Sequence, residues 1–567
     1  MTDTPNPSTN SLRKLHRLFD EATQNWFDVY TALEINGGIV NIEVPREEQG
    51  VGVVARFLLR KGAALPPLGE REAILTAAIH SDAPIVHRAA RNGWQGDGSF
   101  VSHGFVAVAC DTGSMIVPPK SPFHGSAGHI DRRGNLEGWQ DLVAVAQHST
   151  AMTVALSAVF AAPLMALVQR PSFALVFVGP SRCGKSSAQL AAGSALGFGC
   201  EKDLPSLRAT EAGQLAVAVA LNDHAYLINE VGTAKGSKKE VYIVLRDRTY
   251  ALMNGQDIIR HPSFAGSGTG TASFTVLPIF SSEHSPDVWA ARNGEARDEG
   301  EMARLIGMPV LYGGRTTIFD RPPQALKGDK LHRWQREQFR RLREGLPEQR
   351  GVALEEYIGY LTRNRARVTG KTRQLIARFE AAVTTPEMGA VARDIVSKFG
   401  VLFAGCRIAI DADVLPFDVT SMWPGQHIMR ACRAALAELP DPRAELRASL
   451  QLLRDGLDGP TILDRNRLSP QQMRFLNSAD GFSEPREGGR LFVVRAQKFL
   501  DWLGTTLEAR RVLEWLDDEG FLDKRSARTV KRSLEWAQKQ PMWPDGSRPR
   551  SIVIYLPRGL ADLENTI

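Results

Sequence analysis

Cysteine is scarce, with only Cys110, Cys183, Cys200, Cys406 and Cys432 in 567 residues, and these form no CxxC pair and no metal-ligand spacing. Reduced thiols are therefore expected, not a disulfide framework. Residues 1–11 are polar, contain proline and lack an apolar h-region, so a cytoplasmic location is expected, with no membrane partner. One long apolar run occurs, residues 150–168. It carries small residues and Pro163 and has no strong basic asymmetry at its flanks, which predicts a buried helix and not a membrane span. Internal repeats and low-complexity tracts are absent. Hydrophobic residues at 43% and charged residues at 23% exclude a disordered chain. The length implies about three or four domains, each able to bury a core.

Against this ordinary background one segment stands out. Gly179-Pro180-Ser181-Arg182-Cys183-Gly184-Lys185-Ser186 fits the pattern GxxxxGK[ST], and Ser187 continues it into a helix-forming stretch. The preceding Phe173-Ala174-Leu175-Val176-Phe177-Val178 is apolar and partly β-branched, as a buried parallel strand requires. Strand, glycine-rich turn and helix start follow in the order that aims backbone N–H groups at a polyphosphate. Gly179 and Gly184 let the backbone curl tightly, Lys185 adds a full charge for the β- and γ-phosphates, and the Ser186 hydroxyl suits a Mg2+ ion. ATP and Mg2+ are the cofactors expected. Cys183 reads as a small packed loop residue, although a helix start can also lower a thiol pKa.

Composition and periodicity divide the chain into four expected parts. Residues 1–123 read as an N-terminal α+β domain, with an amphipathic helix over 12–33 and strands over 52–59 and 104–109. Residues 134–321 read as an α/β core in which strands at 173–178, 225–229 and 275–280 alternate with helices, as in a parallel sheet covered on both faces. Residues 322–456 are helical and charged and read as a lid. Residues 457–567 carry a helix over 510–520, a basic stretch, and a strand over 551–556, which together suggest a winged-helix-like module.

Hydrolysis needs more than a phosphate cradle, and candidates follow the loop in order. Asn229-Glu230 closes an apolar strand, where Glu230 can polarise a water and Asn229 can face the magnesium shell. An exposed turn at a strand end is the alternative. Asp223 is a fallback, although a turn or cap suits it better. Ser281-Ser282-Glu283 closes a further strand, and Ser282 is the hydroxyl assigned to the γ-phosphate or attacking water, with turn capping as the alternative. Arg304 is the first choice for an arginine supplied by a neighbouring subunit, with Arg246, Arg248 and Arg260 as alternatives.

The spaced motifs resemble a bacterial helicase-like ATPase family catalogued as a domain of unknown function, DUF927. The resemblance rests on Gly134-Asn135-Leu136-Glu137-Gly138-Trp139, the apolar run around Ala155–Leu164, the phosphate loop, Asn222-Asp223, Asn229-Glu230, Tyr250-Ala251-Leu252-Met253-Asn254-Gly255 and Ser281-Ser282-Glu283. It covers roughly residues 93–309. It implies a P-loop NTPase core of AAA+ or helicase type, ATP with Mg2+, a homo-oligomer such as a hexameric ring, and a mobile-element or phage-like replication setting. The sequence departs from the family at Asn229, where aspartate is usual, which makes ATP binding more secure than turnover.

A net charge of +6 and a pI near 9.0 favour polyanionic partners. Lys524, Arg525, Arg528, Lys531 and Arg532 recur at roughly helical spacing and are the candidate DNA contacts, with a solvated helix face as the alternative. The leading expectation is an ATP-driven DNA helicase or translocase. Its rivals are a nucleotide-gated loader, regulatory or defence module with slow turnover, and a small-molecule phosphotransferase.

Overall fold

The computed structural model describes residues 12–102, 105–107, 115–119, 130–233, 240–256, 273–417, 423–439, 442–474, 476–523 and 537–564. They form two compact units, residues 1–439 and 440–567.

The first unit begins with a sheet where a helix was expected. Strands β1 (Arg13–Asp20) and β2 (Asn25–Leu33) form an antiparallel hairpin. Its turn is fixed by Asp20, whose Oδ1 accepts the N–H groups of Ala22 and Thr23, and by Gln24 at φ 57°. The run Trp26-Phe27-Asp28-Val29-Tyr30-Thr31 is rich in aromatic and β-branched residues, and that preference overrides the weaker helical spacing. Residues 52–59, expected as a strand, are instead within helix α1 (Val51–Arg60), which buries Val54 and Leu58 one turn apart. β3 (Ile39–Pro45) follows β2, then α1 and α2 (Leu68–His80), then β4 (Ile85–Arg88). Short strands β5 (Gly93–Trp94), β6 (Phe100–Ser102) and β7 (Phe105–Ala107) form a separate small sheet. β8 (Met115–Val117) completes the larger sheet in the order β3-β2-β1-β4-β8.

The central layer follows. α3 (Leu136–Val143) is capped by Asn135, and its Trp139 is buried with Nε1 donating to Ser194 Oγ at 2.9 Å. α4 (Thr150–Leu167) is long and apolar enough to cross a membrane by length and composition, yet it lies inside the core, as its all-round apolar sequence demands. β9 (Ala174–Val178), α5 (Lys185–Leu196), α6 (Glu211–Ala220), β10 (His224–Ile228), α7 (Glu240–Asn254), β11 (Val276–Ser282), α8 (Pro286–Asn293), α9 (Glu299–Arg304) and β12 (Leu305–Pro309) build a parallel sheet in the order β10-β11-β9-β12. Leu175, Phe177, Leu277 and Ile279 face one apolar cluster with α4 and α5. Ala174, Val176, Tyr226 and Phe280 face a second cluster with α6 and α7, so both faces are covered. Helices α10 (Gly328–Gly345), α11 (Val352–Arg363), α12 (Arg365–Val383), α13 (Ala390–Asp411) and α14 (Trp423–Ala437) follow in an all-helical stretch.

The second unit runs through α15 (Pro442–Leu457), β13 (Ile462–Asp464), α16 (Pro470–Arg474), β14 (Gly481–Arg486), β15 (Gly489–Arg495), α17 (Ala496–Leu503), α18 (Thr506–Asp518), β16 (Gln538–Lys539), β17 (Ser551–Leu556) and α19 (Ala561–Glu564). Its mixed sheet has the order β13-β14-β15-β17-β16. Leu450, Leu453, Phe499, Leu513 and Leu516 from the helices pack on Phe492, Ile552 and Ile554 of the sheet.

A buried polar seam joins the small sheet to the central layer. Asp223, at φ 59°, accepts the Trp94 N–H and the Asn222 amide at 3.0 Å each, and Asn222 Oδ1 accepts the Thr275 N–H at 2.8 Å. Gly93, at φ +89°, is required there because a Cβ would lie 2.3 Å from Asp223 Oδ2. Burial pushes the Asp223 carboxyl up to about 6. A raised folded pKa binds more protons in the folded state, so this group's contribution is complete below the unfolded value near 4 and is lost as pH rises through about 6. Asp223→Asn retains an acceptor oxygen and removes the titration. In chemical unfolding across pH 4 to 7, its stability relative to wild type should rise with pH by up to about 3 kcal/mol, whereas a pH-independent difference would contradict a buried titrating carboxyl.

Candidate functional site

β9 is a buried apolar strand that delivers the chain to Gly179, and α5 begins at Lys185 after a six-residue turn. Gly184 holds the N-cap position at φ +109° and offers no side-chain cap to the first N–H groups of α5. Their aligned dipoles amount to roughly half a positive charge at the turn. A Cβ on Gly184 would lie 2.8 Å from the Phe339 ring and 2.9 Å from Ile318, so only glycine fits this conformation and this approach.

The loop is fastened from behind. Ile318 N–H donates to Cys183 O at 2.9 Å, and Asp320, two residues on, accepts from Thr150 N, Thr150 Oγ1 and Arg430 Nη1 at 2.7 to 2.8 Å. Phe319 stacks with Phe339 and Trp334 at ring distances of 4.9 and 5.2 Å, which lays α10 over the loop. Cys183 is buried, and burial raises its thiol pKa, so it packs the loop as expected and is not a reactive thiolate. Gln189, fully buried on α5, donates to Ile228 O at 3.0 Å and Ile279 O at 2.9 Å, tying the helix to the end of β10 and the middle of β11.

These constraints open a cleft of about 680 Å3 at the carboxyl end of the sheet. Ser181, Arg182, Gly184, Lys185, Ser186 and Ser187 line it, with Gly179 and Pro180 beneath Lys185, whose Nζ donates to their carbonyls at 2.6 and 2.9 Å. Arg182 sits at φ 63°. Asn229 and Glu230 reach the same cleft from the end of β10, and Glu230 is also left-handed, at φ 50°. Such strained backbone at an open cleft is a recurrent sign of a functional site. Asn229 Oδ1 accepts from Ser186 Oγ at 3.4 Å and from Ser281 Oγ at 3.2 Å, and Ser281 Oγ accepts the Glu230 N–H at 2.9 Å.

The sequence assigned the strand-end hydroxyl to Ser282, and the geometry separates the two serines. Both are buried and both line the cleft; Ser282 donates to His284 O at 2.7 Å and accepts Trp289 Nε1 at 3.0 Å. Ser281 is the serine that meets Asn229. Arg304 is exposed on α9, donates to Gly300 O and lies over the Tyr250 ring, away from the residues that line this cleft. Arg246 pairs with Asp247 and Glu295, and Arg248 with Glu211. Arg260 and the candidate DNA contacts Lys524, Arg525, Arg528, Lys531 and Arg532 lie outside the described residues.

Sequence reasoning missed the far wall. Arg336, Phe339, Arg340 and Arg343 of α10 line the cleft. Arg340 is held by Glu337 and Glu344, whereas Arg336 and Arg343 meet no carboxylate among the described residues. The signal was available in the spacing, since positions 336, 340 and 343 share one helical face. Ser186 Oγ, Asn229 Oδ1 and the Glu230 carboxylate provide oxygen donors of the kind Mg2+ takes, with a single full negative charge. This set fits an ion that keeps waters and phosphate oxygens in its shell.

Comparison with known proteins agrees with the spaced motifs. Residues 56–261 match the family model described as a domain of unknown function, DUF927. The match starts earlier than the motif resemblance and ends before Ser281. The fold is shared with a solved structure of the active helicase Cch of SCCmec type IV, at a TM-score of 0.61 and 14% identity over 98% of this chain and 94% of that one. The apo C-terminal region of NrS-1 aligns at a TM-score of 0.31 and 8% identity over 95% of this chain and 96% of that one. No curated protein matches.

The Gly184 geometry has a direct consequence. Gly184→Ala should lower stability by about 2 to 4 kcal/mol through the left-handed backbone and the Phe339 contact, and should displace α10 from the loop. Thermal unfolding together with binding of a fluorescent ATP analogue checks this; unchanged values for both would contradict the geometry.

Proposed function

From a DUF927 segment set in a helicase-like fold, we propose that this chain is an ATP-hydrolysing DNA helicase or translocase of a mobile-element or phage-like replication system. The proposed architecture is a P-loop NTPase core, a helical lid and a C-terminal winged-helix-like module, acting in the cytoplasm as a homo-oligomer such as a hexameric ring. The observation that carries the reading is the convergence of an uncapped helix start, Lys185, Ser186, Asn229, Glu230 and Ser281 in one cleft. Strand β11 lies between β9 and β10, which puts Ser281 between the phosphate loop and Glu230.

In this reading the α5 N–H groups and Lys185 hold the β- and γ-phosphates, each charge-assisted hydrogen bond contributing about 1.5 to 3 kcal/mol. Lys185 leaves the Gly179 and Pro180 carbonyls to do so. Ser186, Asn229 and Glu230 are the residues that would hold Mg2+ or its waters, and the ion would supply charge neutralisation between the phosphates. Glu230 accepts the proton of the attacking water, and Ser281 fixes the Glu230 backbone and the Asn229 amide together. Arg336 and Arg343 stabilise the charge that develops on the γ-phosphate from within the same chain, and Arg304 is the candidate from a neighbouring subunit.

One observation favours the slower alternative, a nucleotide-gated loader, regulatory or defence ATPase. Asn229 presents a neutral oxygen already shared by two hydroxyl donors, where a carboxylate would hold a cation more strongly. Glu230→Gln should retain nucleotide binding and lose about 100-fold or more in phosphate release, while Asn229→Asp should raise turnover. Phosphate release measured with and without single-stranded DNA checks both: DNA stimulation supports the motor, unstimulated slow turnover supports the switch, and normal hydrolysis by Glu230→Gln contradicts the assigned base.

A further inference from the structure

Helix α12 carries five cations, Arg365, Arg367, Lys371, Arg373 and Arg378, against the single carboxylate Glu380. On α10 one arginine, Arg340, is bracketed by Glu337 and Glu344. On α12 Lys371 pairs with Asp411 at 2.5 Å. Arg367, Arg373 and Arg378 are exposed and meet no carboxylate among the described residues. The opposite face of the helix, Val368, Thr372, Ile376, Phe379 and Val383, is buried, so the cationic face is held in a fixed orientation.

Two residues of this helix, Arg365 and Glu380, each contact a residue that lines a second cleft, of about 530 Å3, whose walls include Arg91, Trp94, Arg170, Asn222 and Ser273. Arg365 lies over the Trp94 ring at 5.1 Å, and Glu380 pairs with Arg170 at 3.7 Å. This cleft adjoins the starts of β10 and β11, the opposite end of the sheet from the phosphate loop. It therefore belongs to a different site. The surface is basic, extended and free of large exposed apolar side chains, since the outward positions between the arginines are Ala366, Gly370, Gln374 and Ala377. A membrane surface would require bulky apolar anchors. Arginine in place of lysine suits phosphate oxygens, which it meets with paired donors. Along the helix Arg367, Arg373 and Arg378 are separated by about 9 and about 7.5 Å, so each can meet a different phosphate.

We propose that the arginine face of α12 and the cleft beside Trp94 and Arg170 form a track for the phosphodiester backbone of single-stranded nucleic acid. It rests on the nucleic-acid partner of the reading above, but not on hydrolysis. Such contacts are independent of base sequence and strongly salt-dependent.

The test is oligo(dT) binding to the full chain, by fluorescence anisotropy over a salt series without nucleotide, for wild type and the triple variant Arg367→Glu, Arg373→Glu, Arg378→Glu. The triple variant should bind at least about tenfold more weakly and lower the slope of log affinity against log salt by about 2. The corresponding triple Arg→Lys variant should bind nearly as wild type. Binding of a fluorescent ATP analogue should be the same in all three proteins. Failure of wild type to bind oligo(dT), full affinity in the triple Glu variant, or complete loss on substituting only Arg525, Arg528 and Arg532 would overturn the track. So would a loss of binding to anionic vesicles with oligo(dT) binding intact. If nucleotide binding fails while oligo(dT) affinity still depends on α12, the ATPase reading falls and the track stands.

Discussion

The N–H groups at the start of α5, which Gly184 leaves without a side-chain cap, are the constraint on which the rest of the first unit depends. A helix start without a side-chain cap is costly when nothing accepts its donors, and here Gly184, Ile318, Phe319 and Phe339 hold it open instead of closing it. An anion in the cleft would satisfy those donors and the Lys185 ammonium at once. At an effective dielectric of about 20, a unit charge about 4 Å from that ammonium gains roughly 4 kcal/mol, comparable with the two carbonyl contacts Lys185 makes at rest.

The remaining site residues are placed by that same turn. Gln189 ties α5 to the end of β10 and the middle of β11, so the sheet cannot move relative to the helix without breaking two buried hydrogen bonds. Ser281 and Asn229 then bridge the strand ends, and the left-handed Glu230 projects into the cleft. α10 closes the far wall through Phe319 and Phe339, bringing Arg336, Arg340 and Arg343 opposite the loop. Backbone donors, carboxylates and cations line one cleft, and the phosphoryl transfer proposed above is a reaction in which catalysis is mostly positioning and charge stabilisation.

Much of this was legible in the sequence where local and tertiary demands agree. The strand at 174–178, the turn and α5 are specified by an apolar run, glycine positions and helix formers within one short stretch, residues 174–196. The buried helix α4 follows from an apolar sequence with no polar face. Legibility failed where two periodicities competed, as in residues 12–33, whose β-branched and aromatic content outweighs a helical spacing, and in α1, where two valines suggest a strand but Val54 and Leu58 bury as a helix. It also failed for contacts between distant segments. Nothing local distinguishes Ser281 from Ser282; Trp289, seven residues on, takes the second hydroxyl and leaves the first to Asn229. The arginines of α10 reach the cleft only because the Phe319 cluster lays that helix over residues 150 positions earlier in the chain.

The central claim is that the turn at residues 179–186 binds a triphosphate through main-chain donors and Lys185. Isothermal titration of the purified chain with ATP and Mg2+, alongside Lys185→Ala, tests it most directly. The account predicts saturable 1:1 binding in the wild type that weakens by about 100-fold or more when the ammonium is removed. Absence of binding in the wild type, or equal affinity in the two proteins, would contradict it.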